Sequence, residues 1–204
     1  MFDWFGYVLK SYSFVEYAPE MRVLDVGCGT GAELQELRRR GCLGFGIDPQ
    51  WEAVVNCRRQ GLRVLQACAE QMPFKNASLD GLICKGVIPF TEEPLALREI
   101  GRVLKAGAVS RLMYVCAGYY LRFLLFGPTW QFRFYGLRTL LNTWLYAVTG
   151  RRLPAFLGDT IYQSRPRVAP YYHKNKLRLW RESLSRTFLG FPVFIYHDIQ
   201  KVTD

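Results

Sequence analysis

The residues best suited to chemistry lie in one short run, Asp25-Val26-Gly27-Cys28-Gly29-Thr30-Gly31, which follows an apolar stretch and leads into a helical one. Glycines at a strand-to-helix turn let the backbone approach a ligand with no Cβ in the way. The helix start beyond them offers unpaired N–H groups to a negative or polar group. Alone, the pattern fits several nucleotide-binding or purely structural turns. A carboxylate, Asp48, stands seventeen residues beyond Gly31 at the end of another apolar stretch. There it could accept hydrogen bonds from both hydroxyls of a ribose laid across the strand tips. It also suits the start of the next helix, with Pro49 in the first turn. The two roles are compatible.

Other reactive side chains are sparse. The six cysteines (28, 42, 57, 68, 84 and 116) include no CxxC pair and no neighbouring histidine cluster. Several fall in apolar runs, where free cysteine behaves as a small buried hydrophobe. The expectation is no metal site, no disulfide framework and a reducing cytoplasm. Of the two histidines, His197 sits within FIYHDI and reads as a strand residue, whereas His173 follows Tyr171-Tyr172 and could project from a lid. Lys85 ends an apolar run and is the other candidate for catalysis, or else pairs with an acid such as Glu70. The start of the chain, MFDWFGYVLKSYSF, has no basic segment before an aliphatic core, so no signal peptide is expected.

These groups need elements to hold them. The 204 residues, half of them apolar and 22% charged, suit one folded domain. Met21–Val26, Leu43–Asp48, Arg63–Ala67, Leu79–Lys85 and Ala108–Val115 read as strands. Ala32–Arg40, Trp51–Gln60 and Glu92–Leu104 read as helices between them, the first two closed by Gly41 and Gly61. Short strands alternating with helices imply parallel βαβ units with helices on both faces. After Val115 the alternation stops. Leu137, Leu140, Leu141, Trp144, Leu145 and Val148 follow helical spacing, a stripe that reads as core. Residues 151–172, with three prolines, read as irregular, 175–188 as a helix and 192–202 as a last strand.

Here the sequence resembles a known family. VLDVGCGTG, GFGIDPQ, CAEQMPF, SLDGLICKGVIPF and LREIGRVLKAGA occur in the order and spacing of class I S-adenosylmethionine-dependent methyltransferases, within the branch that modifies small molecules. The resemblance covers residues 21–115. It implies an α/β fold, a Rossmann-like seven-stranded, mostly parallel sheet with helices on both faces and an α-helical insertion after strand 5. It divides the chain into an N-terminal cap (1–20), a cofactor-binding core (21–116), a helical, basic and aromatic substrate lid (117–174) and a final helix and strand (175–204). By the same resemblance Gly27, Cys28, Gly29 and Gly31 line the methionine part of S-adenosylmethionine and Asp25 lies beneath it. Asp48 holds the ribose, Pro49 and Gln50 border the adenine, and Cys68, Ala69 and Glu70 its other edge. Lys85 and Gly86 face the reacting methyl group. Cys68 stands where relatives often place an acid, Ile88-Pro89-Phe90 where they often place a histidine, and LKAGA replaces LKPGG.

Charge adds a partner question. Residues 101–181 hold fourteen Lys/Arg and one acid, Asp159, a net of +13, whereas the rest of the chain is at −3. Tyr119, Tyr120, Phe123, Phe126, Trp130, Phe132, Phe134 and Tyr135 alternate here with Arg122, Arg133 and Arg138. The block could wall a lipophilic acceptor pocket or, through 119–152, touch an anionic membrane from the cytoplasmic side. Arginine with aromatics also suits RNA. The expectation is methyl transfer to an O, N or C nucleophile of a small, lipophilic or membrane-associated acceptor. The alternatives are an RNA or tRNA methyltransferase and a non-catalytic interaction protein of the same fold. The N-terminal aromatics Trp4, Phe5, Tyr7, Tyr12 and Tyr17 read as a lid or as packed core.

Overall fold

The computed structural model describes residues 13–154, 157–158 and 160–202. Among the described residues nine strands and six α-helices follow in order: β1 (Arg22–Val26), α1 (Ala32–Arg39), β2 (Leu43–Asp48), α2 (Trp51–Arg59), β3 (Val64–Gln66), β4 (Leu79–Lys85), α3 (Glu93–Val103), β5 (Leu104–Val115), α4 (Ala117–Phe126), α5 (Trp130–Thr149), α6 (Arg165–Lys174), β6 (Leu177–Leu184), β7 (Thr187–Phe188), β8 (Phe191–Pro192) and β9 (Phe194–Lys201). Seven strands form one sheet in the order β3-β2-β1-β4-β5-β9-β6. The first five run parallel, and β9 turns the edge antiparallel against both β5 and β6. The Rossmann-like reading therefore holds, with the helical hairpin α4–α5 inserted after β5.

Residue alternation on the strands builds a core on each side of the sheet. Leu24 and Val26 of β1, Leu82 and Cys84 of β4, and Leu112 and Tyr114 of β5 share one apolar cluster with Leu97 and Ile100 of α3 and Val168 of α6. Val23, Ile83, Met113 and Val115 point the other way, into a cluster with Leu34 and Leu37 of α1, Val54 of α2 and Tyr120 of α4. Burying one such leucine contributes about 1.5–3 kcal/mol. Tyr17 belongs to the second cluster. Its hydroxyl lies 2.9 Å from the Leu82 carbonyl and 3.1 Å from that of Val109. A Cβ on Gly81 would come within 2.2 Å of the Tyr17 ring, which explains a glycine in the middle of β4. Tyr17 is thus core; Trp4, Phe5, Tyr7 and Tyr12 lie outside the described residues.

Three sequence readings are corrected. Residues 175–188 are not a helix: 177–184 form edge strand β6, paired antiparallel to β9 from Leu177↔Lys201 to Leu184↔Ile195. The helical spacing of Leu177, Trp180 and Leu184 yields to a ladder that only the distant β9 supplies. Conversely, the proline-rich stretch contains α6, with Pro166 in the first turn, where no backbone donor is lost, and Pro170 inside the helix, where one is. The stripe on α5 is core only in part, through Leu140, which packs against the second cluster. Leu137, Leu141, Trp144 and Val148 are exposed, and α5 buries Gly136, Thr139, Asn142 and Thr143 instead.

His197 is a buried strand residue of β9. Its Nε2 lies 3.0 Å from the Glu182 carboxylate and its Nδ1 2.7 Å from the Tyr172 hydroxyl, which meets the Tyr114 hydroxyl at 2.6 Å. One assignment satisfies every group: Nε2–H donates to Glu182, Tyr172 donates to Nδ1, and Tyr114 donates to Tyr172. Burial lowers the His197 pKa below its ordinary 6.5. The folded chain therefore keeps this ring neutral while the unfolded chain takes up a proton. The resulting stability is complete above about pH 6.5 and is lost as pH falls below it. Urea denaturation across pH should show that decline, and His197→Gln should flatten it while costing about 1–3 kcal/mol near neutral pH.

Candidate functional site

The crevice is built at the carboxyl ends of β1, β2 and β4. Parallel register sets Val26 beside both Ile47 and Cys84. The N–H groups of Gly27 and Cys28 then donate to the Ile47 carbonyl at 2.8 and 3.1 Å, which bends the chain off β1. Asp48, the next residue of β2, accepts the Gly29 N–H on Oδ2 and the Gln50 N–H on Oδ1, both at 2.9 Å. One carboxylate thus fixes the glycine loop and the entry to α2. It does so from just before the N-cap residue, Gln50, which makes no side-chain cap itself. Each oxygen keeps a lone pair for a further donor.

The glycines serve different ends. Gly27, Gly29 and Gly31 all have positive φ, at 69°, 51° and 82°. A Cβ on Gly27 would lie 2.4 Å from Val87 Cγ2, and one on Gly31 would lie 2.6 Å from Leu62 Cδ1. Those two positions are closed by packing. A Cβ on Gly29 would meet nothing within 4 Å. Gly29 alone of the three borders open space beside the carboxylate, as a ligand cradle requires.

Charge is arranged asymmetrically around the loop. Asp25 is buried, and its carboxyl is pushed up to about 8, chiefly by burial, with Glu33 and Asp48 adding to the rise and Lys85 opposing it. Lys85 Nζ pairs with Glu33 in the first turn of α1 at 3.0 Å and lies 5.3 Å from the centre of the Phe14 ring. The partner of Lys85 is thus Glu33. Glu70 is occupied elsewhere, accepting the Glu92 N–H at 2.8 Å. A buried carboxyl held near its ionisation point is a natural counter-charge for a cationic ligand.

The remaining sequence candidates fall around this crevice or away from it. Pro49, Gln50 and Cys68 are exposed and Ala69 is buried, on the segments that follow β2 and β3. Gly86 follows β4, its N–H donating to the Met113 carbonyl at 3.1 Å. Ile88-Pro89-Phe90 forms a 3₁₀ turn whose Ile88 and Pro89 are buried. His173 is not brought to the loop. It lines a separate cavity of about 600 Å³ with Arg165, Ala169, Tyr172, Leu177 and Leu179, between α6 and β6. Sequence reasoning missed Glu33 and Phe14, which define the surroundings of Lys85. A glutamate one turn into the helix after a glycine loop is an ordinary helix-start residue and carries no signal of its own. Among the described residues no group of His, Cys, Asp and Glu could hold a metal ion. The cysteines are free, with all but Cys68 buried.

The lid aromatics divide. Tyr119 packs edge-on against Tyr120 and Phe123, and Tyr135 against Tyr120, whereas Phe126, Trp130, Phe132 and Phe134 are exposed. The hairpin is tied toward the crevice rim through Arg152, whose Nη1 donates to the Thr91 carbonyl at 2.9 Å.

Residues 24–111 match the family described as a methyltransferase domain. An uncharacterized protein of Methanocaldococcus jannaschii is 40% identical over 85 residues, which cover 41% of this chain and 32% of that protein. A malonyl-acyl-carrier-protein O-methyltransferase of Serratia marcescens is 28% identical over 159 residues, covering 76% of this chain and 55% of that one. The chain thus spans a third to just over half the length of these curated relatives. A solved SAM-dependent methyltransferase of Methanosarcina mazei shares the fold, with a TM-score of 0.67 and 18% identity over 92% of this chain and 95% of that one. The motif run, the strand order and the glycine loop accord with that methyltransferase-domain match, which covers residues 24–111, a little under half of the chain.

Proposed function

We propose that the protein transfers a methyl group from S-adenosylmethionine to an O, N or C nucleophile on a small, lipophilic acceptor. The observation that carries this reading is the open space at Gly29 beside the Asp48 carboxylate. The residues fit the cofactor. Asp48 offers acceptors to the ribose hydroxyls, with Pro49, Gln50, Cys68, Ala69 and Glu70 bordering the adenine. Gly29 would border the methionine part directly, with Gly27, Cys28 and Gly31 shaping the loop that presents it. Asp25 supplies the carboxyl that a cationic group favours in its ionised form. The cofactor brings an activated methyl group, so the protein accelerates transfer chiefly by alignment and exclusion of water.

What surrounds the glycine loop supports an acceptor that needs no general base. His197 is committed to Tyr172 and Glu182, and His173 lies across the sheet edge. Of the charged side chains at the loop, Asp48 is held by the Gly29 and Gln50 N–H groups and Lys85 pairs with Glu33, while Asp25 lies buried beside them. A nucleophile that is already anionic, such as a carboxylate, needs no proton removed, which suits a loop whose lysine, Lys85, is paired with Glu33. The relative from Serratia marcescens, named as an O-methyltransferase of a carrier-bound malonyl group, accords with that choice. The tyrosines of α4 and α5 pack into the apolar cluster on the α1 and α2 side of the sheet, which supports a lipophilic acceptor.

Isothermal titration with S-adenosylmethionine tests the reading directly: micromolar-to-millimolar binding supports it, and no binding at millimolar cofactor rejects it. Asp48→Ala should weaken binding by about 1–3 kcal/mol in a folded variant, and unchanged affinity would remove the ribose role. Gly27→Ala should lower the melting temperature more than Gly29→Ala, because only the former meets Val87. Gly29→Ala should instead lose cofactor affinity beyond its loss of stability. A cation beside Asp25 favours its ionised form, so binding releases a proton below pH 8. Affinity for the cofactor, relative to its uncharged demethylated product, should therefore rise with pH and level off above about 8, by at most about tenfold per unit. Asp25→Asn should abolish that slope.

A further inference from the structure

Helix α5 is built with its polarity reversed. The side it presents to the protein carries Gly136, Thr139, Asn142 and Thr143. These are not misplaced polar groups, because each polar one is satisfied. Asn142 Nδ2 donates to the Thr160 carbonyl at 3.0 Å, and its Oδ1 accepts the Leu153 N–H at 2.7 Å. Thr143 Oγ1 donates to the Thr139 carbonyl at 2.8 Å and accepts the Tyr162 N–H at 3.0 Å. The inner face is polar because it holds the returning segment in place.

The outer face is correspondingly apolar. Trp130, Phe134, Leu137, Leu141, Trp144 and Val148 recur every three or four residues, one side of a helix, and all are exposed. Trp130 is 72% exposed, Leu141 54%, Trp144 65% and Val148 67%. At 1.5 Å per residue the stripe is about 27 Å long. The preceding turn adds exposed Leu125 and Phe126. A continuous apolar surface of this length on a water-soluble face marks an interaction site.

Charge identifies what covers it. From Ala117 to Pro154 the chain holds Arg122, Arg133, Arg138, Arg151 and Arg152 and no acid. Arg133 and Arg151 are exposed near the two ends of α5. A second copy of the chain would bring two such basic faces together, and a nucleic acid would leave the leucines and valine without apolar partners. No helix among the described residues is long and apolar enough to cross a membrane. We infer that α5 lies flat on an anionic lipid surface, its apolar stripe at the level of the acyl boundary, its tryptophans near the headgroups and Arg133 and Arg151 on the lipid phosphates. This goes beyond the methyl-transfer reading and stands independently of it, since the stripe includes none of the residues assigned to the cofactor.

The test is sedimentation of the full chain with vesicles of phosphatidylcholine, with and without phosphatidylglycerol, alongside tryptophan fluorescence. Binding to the anionic vesicles, a blue-shifted emission and loss of binding as salt rises are expected. Leu141→Glu and Trp144→Glu should each lower partitioning by about tenfold or more while leaving the melting temperature and cofactor titration unchanged. The double variant Arg133→Gln and Arg151→Gln should lower it on anionic vesicles alone. Failure of the wild-type chain to bind anionic vesicles at low salt would overturn the inference, as would wild-type binding by both Glu variants. A dimer that the Glu variants split would assign the face to a second copy, and salt-sensitive binding of single-stranded RNA lost in the same variants would assign it to RNA. Each of these results leaves cofactor binding, and the proposal built on it, untouched.

Discussion

The site depends on a tie between two neighbouring strand tips: the Asp48 carboxylate held against the Gly29 N–H. Parallel register places Ile47 beside Val26, so the residue after Ile47 must stand over the turn that leaves β1. A carboxylate there binds the loop without filling it. The same group also meets the Gln50 N–H, so the loop and α2 share one anchor. Three backbone conformations that side chains rarely adopt persist in the loop because packing at Gly27 and Gly31 and this bond at Gly29 leave the chain no other path.

The electrostatics follow from that compactness. Holding the loop close to the sheet removes Asp25 from water, and Glu33 adds a second negative charge nearby. Lys85 relieves part of this by pairing with Glu33. The outcome is a buried carboxyl raised to about 8 at the end of β1, with the nearby cation of Lys85 turned toward Glu33 of α1. The far edge of the sheet makes a different choice. There Glu182, His197, Tyr172 and Tyr114 consume one another's hydrogen bonds completely, which makes that network structural.

Much of this was legible in residue order. The strand pattern of Met21–Val115, the glycine run and Asp48 have local signatures, because glycine at positive φ and a carboxylate at a strand end are demanded by backbone geometry within a few residues. The second half was less legible for a physical reason. Strand β6 exists because β9, more than ten residues further on, pairs with it, so Leu177, Trp180 and Leu184 could mimic a helix. Helix α6 tolerates Pro166 only by virtue of where its first turn begins. The α5 stripe has the spacing of core residues, and nothing local reveals that Asn142 and Thr143 are wanted inside to hold residues 153–162. The pairing of Lys85 with Glu33 rather than Glu70 likewise needed three dimensions.

The reversed polarity of α5 has a consequence for regulation. A helix that hides its greasy side in one state and shows it in another must roll about its axis, and here rolling would take from the Thr160 carbonyl and the Leu153 and Tyr162 N–H groups the partners that Asn142 and Thr143 supply. Among the described residues the exposed side is therefore fixed by the same bonds that hold residues 153–162. Ionic strength, the composition of the opposing surface and competition for it then govern what that side meets.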